Sequence, residues 1–212
     1  MTGIIDYKAG NIRSVELALR TLGVNYRISD TPEELEGADR LIFPGVGEAK
    51  YAMKNLKERG FDAFLHQWAS SGKPLLGVCL GSQIIFEYSE EGDTPCLALV
   101  PGAVRRFPDH FREHGLKIPH MGWNNVTFTN GGSRLFDGIQ EGTDFYFVHS
   151  YYVDPIDRSI ISATVDYGME VPCGIRHGAI EAFQFHPEKS AMGGLRILAN
   201  FTAADRQKGP LC

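Results

Sequence analysis

The sequence is poor in cysteine and lacks long apolar runs. Its 212 residues include 4 cysteines, namely Cys79, Cys96, Cys173 and Cys212, and none of them forms a paired C-x-x-C motif. This usage argues against a disulfide framework or a zinc ribbon and predicts free thiols in a reducing compartment. No stretch approaches the roughly 18 apolar residues that a membrane span needs.

The sequence also lacks an excess of positive charge. Its formal net charge is −5, which argues against a nucleic-acid surface, because such a surface needs a basic patch. The first residues, M-T-G-I-I-D-Y, lack the order of a signal peptide. We therefore expect a cytoplasmic protein that folds as a single domain over residues 1–212, with no membrane or nucleic-acid partner.

The first half of the chain alternates short apolar strands with helical patterns. Strands are predicted at 2–6, 26–29, 40–45 and 74–79, and helices at 12–22, 48–59, 61–71 and 82–88. This alternation predicts an α/β fold, in which a mostly parallel sheet is covered by helices on both faces. Ligands of such sheets bind at the carboxyl ends of the strands, where P-G-V-G (44–47) and G-V-C-L-G (77–81) lie.

The second half changes character. Apolar or alternating runs separated by turns are found at 102–107, 124–128, 144–153, 159–165 and 181–186. They predict an added antiparallel region on the same sheet. A closing helix is expected at 194–204.

The pattern G-x-C-x-G around Cys79 is the cysteine version of the nucleophile elbow G-x-S-x-G. Gly77 and Gly81 would let the backbone turn sharply and present the sulfur at the amino end of a helix, where a thiolate is favoured. Leu80, the next residue, could donate its N–H to an oxyanion. A cysteine that only packs in the core is the alternative for Cys79 taken alone.

A nucleophilic thiolate needs a general base, and its leaving group needs an acid. His186, in F-Q-F-H-P-E-K-S, ends an alternating strand that Pro187 stops, and Glu188 is spaced to orient its imidazole. A strand-end histidine and a surface carboxylate are the alternatives for each residue alone. Their occurrence together with Cys79 favours a catalytic Cys-His-Glu set.

The segment H-F-R-E-H at 110–114 fits the metal-protease pattern H-x-x-E-H, which requires a helix. Pro108 and Gly115 bracket too short a segment, and no clear third ligand follows. We expect a solvated loop here, and neither a metal nor another cofactor.

G-V-C-L-G-S-Q together with F-Q-F-H-P-E-K resembles the class I glutamine amidotransferases. Further motifs resemble the glutaminase subunits of that family that feed a cyclase: D-Y-K-A-G-N-I-R-S-V near the start, F-P-G-V-G-E-A, P-H-M-G-W-N and Y-F-V-H-S-Y-Y. The likeness runs from residue 3 to about residue 202. It implies a flavodoxin-like, three-layer α/β fold. The elbow alone is weakly specific for this family, whereas the elbow together with H-P-E is strongly specific for it.

The resemblance implies a mechanism. Cys79 would attack the side-chain amide of glutamine, His186 would protonate the departing ammonia, and Glu188 would orient His186. The oxyanion would be held by backbone N–H groups of three residues: Leu80, Gly45 and Val46.

The resemblance also implies which residues hold the substrate. The candidates for glutamine binding are Gly47, Gln83, Glu91, Ser150 and Tyr151. Glu91 is the natural partner for the ammonium group of the amino acid, with a solvated acid at a helix end as the alternative.

No phosphate-binding glycine loop marks a second substrate, so the ammonia should be used elsewhere. The family implies a heterodimer with a (β/α)8-barrel cyclase subunit of histidine biosynthesis. Candidates for the partner surface are Met121, Trp123, Tyr146 and Lys189. Ordinary core positions are the alternative for Trp123 and Tyr146. Glutaminase action in this family is weak until the partner is liganded, and P-G-V-G is the expected gate.

Other functions stay open at this level. A paralogous subunit would feed another synthase, such as one of cell-surface sugar biosynthesis. The intact Cys79, His186 and Glu188 disfavour an inactive regulatory subunit, and H-P-E disfavours a peptidase. Two positions depart from the family pattern, because Cys96 stands where a glycine is expected and Ser82 where a larger residue is commoner.

Overall fold

The computed structural model describes residues 1–9, 11–113, 115–129 and 132–203. Its helices are α1 Ile12–Thr21, α2 Ala49–Glu58, α3 Phe61–Ser70, α4 Leu80–Gln83, α5 His110–Glu113 and α6 Ala191–Ala203. Its strands are β1 Thr2–Ile5, β2 Tyr26–Ser29, β3 Arg40–Gly45, β4 Leu75–Cys79, β5 Tyr88–Ser89, β6 Thr94–Pro95, β7 Gly102–Arg106, β8 His120–Asn125, β9 Thr127–Phe128, β10 Asp144–His149, β11 Tyr151–Pro155, β12 Ile161–Asp166, β13 Glu170–His177 and β14 Ile180–Phe183. Short 3₁₀ turns lie at Glu33–Leu35, Arg134–Phe136, Arg158–Ile160 and Pro187–Lys189.

The largest sheet has the strand order β2-β1-β3-β4-β14-β13-β12-β9. Strands β2, β1, β3, β4 and β14 pair in parallel, and β13, β12 and β9 continue the sheet in antiparallel pairs. The mostly parallel sheet and its antiparallel extension are therefore confirmed.

The expectation that the whole second half extends this one sheet is wrong. Strands β10 and β8 form a separate pair, and β11, β7, β5 and β6 form another sheet. The predicted strand at 144–153 is two strands that separate at Ser150. Local apolar patterns predict strands, but they do not encode which strands pair.

Helices cover both faces of the parallel part of the sheet. Successive residues of a strand point to opposite faces, so Ile4 and Ile5 of β1 enter different cores. Ile5 lies in one apolar cluster with Leu56 of α2, while Ile4 lies in the other with Leu19 of α1 and Ile197 of α6. This gives the three-layer arrangement predicted for the first half.

The carboxyl ends of β3, β4 and β14 meet at one edge of the sheet. Gly45 of β3 lies beside Cys79 of β4, and Phe183 of β14 lies beside Val78. The P-G-V-G turn, the elbow and residues 184–188 are therefore brought together, although they are far apart in sequence.

The helix that follows the elbow is shorter than predicted. A helix is expected at 82–88, but α4 ends at Gln83 and Tyr88 already belongs to β5. The next three residues, Ile84, Ile85 and Phe86, are all completely buried. A run buried on every side has no polar face for a surface helix. The closing helix α6 begins three residues earlier than expected, and residue 204 lies outside the described part.

The segment around H-F-R-E-H is a one-turn helix, α5, rather than the expected solvated loop, because Phe111 is buried. His114 lies outside the described residues. Across the described ranges, no group of three His, Cys, Asp or Glu side chains is placed to hold a metal ion, and no helix is long and apolar enough to cross a membrane. Cys79, Cys96 and Cys173 are free thiols; Cys212 is not among the described residues.

Candidate active site

Cys79 lies on a strained turn between β4 and α4. Its φ of 52° and ψ of −110° fall in a region that costs a residue with a side chain about 1–3 kcal/mol. A Cβ atom at Gly81 would overlap the carbonyl oxygen of Phe43, and one at Gly77 would lie 2.9 Å from the carbonyl oxygen of Gly81. The two glycines therefore permit close backbone approach, while the positive φ falls on the cysteine itself.

Ser82, one of the departures from the family pattern, supports this turn. Its buried hydroxyl donates to the carbonyl oxygen of Cys79 over 2.6 Å. The smaller side chain thus fastens the elbow from the following helix.

His186 and Glu188 form a buried pair directly after β14. The Nδ1 atom of His186 lies 2.8 Å from Oε1 of Glu188, and the two side chains are 1% and 2% exposed. The backbone N–H of His186 donates to the carbonyl of Tyr146, and the hydroxyl of Ser190 donates to the carbonyl of His186. The ring is therefore held at its backbone and at one nitrogen, while Nε2 has no hydrogen-bond partner.

The charge state of His186 follows from its neighbours. Burial alone would lower its pKa, but the Cys79 sulfur and the Glu188 carboxylate outweigh burial and raise the pKa to about 10. The imidazolium form is therefore favoured at neutral pH, so His186 has a proton to give at Nε2.

Cys79 and His186 face the same cavity, which has a volume of about 310 Å³. Most of the predicted site residues line it: Val46, Gly47, Cys79, Leu80, Gln83, Glu91, Ser150, Tyr151 and His186. Glu188 lies behind His186. Gly45 lies behind the elbow, where a Cβ atom would be 2.8 Å from the backbone nitrogen of Gly81.

Glu91 places a negative charge at the cavity. Its Oε2 accepts the backbone N–H of Ala49 over 2.8 Å, and burial raises its pKa although that hydrogen bond opposes the rise. Among the described residues no lysine or arginine is an interaction partner of Glu91. It follows β5, so the alternative of a solvated acid at a helix end does not describe it.

Gln83 links the lining of the cavity to Cys79 through hydrogen bonds. Its Nε2 donates to the carbonyl of Tyr151 over 3.1 Å and to Oε1 of Gln184 over 2.8 Å. Gln184 in turn directs its Nε2 at the Cys79 sulfur, 3.9 Å away. Sequence reasoning missed Gln184, although a polar residue between Phe183 and Phe185 in a buried run was the available signal.

In the P-G-V-G loop, the backbone N–H of Val46 is hydrogen-bonded, whereas Gly47 has open space where a side chain would be. The backbone N–H of Val46 donates to the carbonyl of Ala9 over 2.8 Å, so in this conformation it is not directed at an oxyanion. Gly47 has a φ of 95° and no atom within 4 Å of where a Cβ would be. Leu80 begins α4, and the first N–H groups of a helix have no partner within the helix.

Three further residues line the cavity and were not predicted: Pro119, Val148 and His149. The carbonyl oxygen of Val148 lies 4.0 Å from the Cys79 sulfur. Pro119 belongs to the motif P-H-M-G-W-N and His149 to the motif Y-F-V-H-S-Y-Y, in which other residues are the predicted site residues.

The four candidates for a partner surface lie close to one another. Met121 and Trp123 of β8 are 62% and 54% exposed, so the core alternative is wrong for Trp123. Its ring lies edge-on to Tyr146 of β10 at 6.0 Å, and the Nζ of Lys189 lies 5.9 Å from the Tyr146 ring. Tyr146 is half-buried.

A family model and named relatives assign the chain to the same family that its motifs resemble. A family model described as "Glutamine amidotransferase class-I" matches residues 3–204. A protein of Moorella thermoacetica named "Imidazole glycerol phosphate synthase subunit HisH" is 46% identical over 207 residues, which are 97% of this chain and 96% of the relative. A protein of the same name from Desulfovibrio desulfuricans is 48% identical over 210 residues, 98% of this chain and 96% of the relative.

Solved structures are similar in fold. A structure described as a glutamine amidotransferase matches with a TM-score of 0.73 and 21% identity, covering 94% of this chain and 96% of that one. The glutaminase domain of CTPS from Trypanosoma brucei matches with a TM-score of 0.61 and 19% identity, covering 99% of this chain and 94% of that one.

Proposed function

The chain belongs to the class I glutamine amidotransferase family, and from this we propose that it is the glutaminase subunit of an imidazole glycerol phosphate synthase in histidine biosynthesis. It hydrolyses glutamine to glutamate and ammonia. The observation that carries the proposal is Cys79 on a strained elbow, facing one cavity with a His186 that is bound to Glu188. The names of the curated relatives favour this pathway over a paralogous synthase.

The first step is attack by the Cys79 sulfur on the side-chain carbonyl carbon of glutamine. A carbon–sulfur bond forms, and the carbonyl oxygen becomes an oxyanion that needs hydrogen-bond donors. Leu80 supplies one from the start of α4. Val46 would supply a second only after it releases Ala9, and Gly47 permits the peptide rotation that this requires.

The second step breaks the carbon–nitrogen bond. His186 gives its Nε2 proton to the departing nitrogen, ammonia leaves, and a glutamyl thioester stays on Cys79. The neutral Nε2 then takes a proton from water, the hydroxide attacks the thioester, and the sulfur leaves as glutamate forms. Glu188 holds Nδ1 throughout, so that Nε2 is the nitrogen that exchanges protons.

The cavity provides complementary groups for a zwitterionic amino acid. Glu91 has no described cation of its own and suits the substrate ammonium. Gln83 has committed both N–H groups of its amide, so its Oε1 is the atom left for a donor of the substrate. Gly47, Ser150 and Tyr151 complete the lining.

The ammonia is consumed by a (β/α)8-barrel cyclase that docks on the surface of Met121, Trp123, Tyr146 and Lys189. The exposed aromatic ring of Trp123 and the methionine beside it support this surface, since aromatic residues and methionine are enriched in interfaces. The small number of cysteines, of which the described Cys79, Cys96 and Cys173 are free thiols, suits a cytoplasmic enzyme.

The test is glutamate release from glutamine by the wild type and by Cys79→Ala, each alone and with the nucleotide-liganded barrel protein. We expect slow release by the wild type alone, faster release with the liganded partner, and a loss of at least about a thousandfold in the variant. Release that persists in Cys79→Ala would contradict the mechanism. Stimulation only by a different synthase would contradict the pathway.

A further inference from the structure

Two buried histidines lie beside the cavity, and the reaction scheme does not use them. His120 of β8 and His149 of β10 are direct cross-strand neighbours. Nδ1 of His120 lies 3.0 Å from Nε2 of His149, and the residues are 3% and 5% exposed. A polar pair this deeply buried needs each nitrogen to have a partner of the right kind.

One end of this pair is fixed by a backbone carbonyl. Nδ1 of His149 lies 2.7 Å from the carbonyl oxygen of Tyr151, which can only accept, so Nδ1 carries the hydrogen. A neutral His149 then has an acceptor at Nε2, and His120 must donate from Nδ1. The remaining nitrogen of His120, Nε2, must accept.

The other end is fixed by Asn124. Its Nδ2 lies 3.4 Å from Nε2 of His120 and also donates to the carbonyl of Asp166 over 3.0 Å. Its Oδ1 accepts the backbone N–H of Asn125 over 2.9 Å. Rotation of the amide would lose these backbone bonds, so only one tautomer of each histidine satisfies the whole chain of donors.

The surroundings keep both rings neutral. Burial lowers the pKa of His120 to about 4 and that of His149 to about 3. For His149 the bond to Tyr151 opposes the change, while repulsion from His186, and from His120 when it is protonated, adds to it. The donor chain therefore persists at neutral pH.

The chain of donors ends at the wall that holds the substrate. Strand β10 ends at His149 and β11 begins at Tyr151, so the bond from the His149 ring to the Tyr151 carbonyl spans the bend at Ser150. Ser150 and Tyr151 line the cavity. The same carbonyl accepts Nε2 of Gln83, so the bend is held from both sides.

We infer that His120 and His149 are a positioning pair for glutamine: His120 fixes the tautomer of His149, and His149 fixes the bend that presents Ser150 and Tyr151. The inference rests on the proposed function, because it concerns the same cavity. Neither residue exchanges a proton in the reaction.

Two substitutions of His120 separate positioning from packing. His120→Phe keeps the ring stacked between Phe147 and Tyr167, whose centroids lie 4.7 and 3.9 Å away, but it removes the donor. His120→Asn loses the stack but places an amide N–H where Nδ1 stands. Steady-state glutaminase kinetics of the complex with the liganded barrel subunit should show KM for glutamine raised about tenfold in His120→Phe, with kcat within about threefold. In His120→Asn, KM should return to within about threefold of the wild type.

The free glutaminase chain allows a second measurement, which does not depend on turnover. Glutamine should protect Cys79 from alkylation by iodoacetamide, and half-protection should need about tenfold more glutamine in His120→Phe than in the wild type. His149→Asn, which can still donate to Tyr151 from its Nδ2, should be closer to the wild type than His149→Phe.

The outcomes are distinct. Wild-type KM and wild-type protection in His120→Phe would overturn the inference and leave the proposed function standing. Equal losses in His120→Phe and His120→Asn, with a matching fall in Tm, would also overturn it, because packing alone would explain them. If the wild-type complex releases no glutamate, the proposed function fails and the inference fails with it.

Discussion

The cavity proposed to bind glutamine has two walls, whose buried polar groups differ in how fully they are hydrogen-bonded. The reactive wall consists of Cys79, His186 and Glu188. It contains a strained backbone and leaves Nε2 of His186 and Oε2 of Glu188 without partners. The positioning wall consists of His120, His149, Ser150 and Tyr151, and both of its histidines have a partner at each ring nitrogen.

The comparison shows that the neighbours of a buried histidine, and not burial itself, decide what it can do. All three histidines are at least nine-tenths buried. For His186 the Cys79 sulfur and the Glu188 carboxylate outweigh burial and raise the pKa to about 10, whereas for His149 burial outweighs the bond to the Tyr151 carbonyl and lowers the pKa to about 3. His186 therefore has a proton to donate at neutral pH, whereas the neutral His149 serves to position the backbone at Tyr151.

The largest expected effect on the difference between the two walls comes from a substitution of Glu188. Glu188→Gln keeps a side chain of the same size but removes the charge that holds His186 protonated and in one orientation. We expect kcat for glutamate release to fall by at least about a hundredfold. Glu181→Gln is the matched control, since it removes another buried carboxylate, in β14 and outside the cavity, and should keep turnover within about twofold. Equal losses in the two variants would deny Glu188 a special role.

The two walls should respond to pH with opposite signs. The pKa of His149 is lower in the folded state than the usual 6.5, so the unfolded chain takes up the proton first and stability falls as pH drops from about 6.5 toward 3. The pKa of His186 is raised, so its stabilisation is complete below about 6.5 and is lost as pH rises toward 10.

Urea unfolding of the wild type, His149→Phe and His186→Asn at pH 5, 7 and 9 checks both signs. At pH 5 the His149 effect amounts to about 2 kcal/mol, from 1.4 kcal/mol per unit of pKa shift. His149→Phe should flatten the acid side of the profile and His186→Asn the alkaline side. The reverse assignment, or no change in either variant, would contradict the two charge states.

A substitution of Gly47 in the P-G-V-G loop tests backbone strain in the lining of the cavity without a change in packing. Gly47→Ala meets no neighbouring atom but must adopt a φ of 95°, which should cost about 1 kcal/mol of stability. Partner-stimulated turnover should fall more than the affinity for glutamine. Gly23→Ala, at φ 64° and also in open space, is the control for strain alone. Gly45 cannot serve, because its substitution would disturb the elbow itself. A parallel change in turnover and affinity would sink the gating role.

The smallest expected effect concerns the elbow backbone. Cys79→Gly and Cys79→Ala both remove the nucleophile, but only glycine tolerates a φ of 52° with a ψ of −110°. Cys79→Gly should therefore be about 1 kcal/mol more stable than Cys79→Ala in thermal or urea unfolding. The opposite order would show that the turn is unstrained.

Much of the reactive wall could be predicted from sequence because its signals are local. G-V-C-L-G contains the proposed nucleophile and both close-approach glycines, and F-H-P-E places His186 and the carboxylate bound to it within three residues. Parallel strands then bring the two motifs to one edge, which the alternation of strands and helices predicts.

The positioning wall could not be predicted in the same way. The two hydrogen-bond partners of the His149 ring lie in different elements, His120 in β8 and Tyr151 in β11. Their meeting depends on the register of β8 with β10, in which His149 faces His120. The bend at Ser150 lies within residues 144–153, whose sequence pattern predicts one continuous strand. A local pattern cannot show that such a run passes from one sheet to another. For the same reason, the sequence of the second half wrongly predicts a single sheet.

The placement of the two tryptophans has a spectroscopic consequence. The chain has 2 of them: Trp68 of α3 is 4% exposed and packs in the core, while Trp123 is 54% exposed on β8. Collisional quenchers in water would therefore reach one emitter and not the other. A barrel subunit that covers β8 would remove the quenchable half of the fluorescence, so docking could be followed in real time without any label and without any turnover.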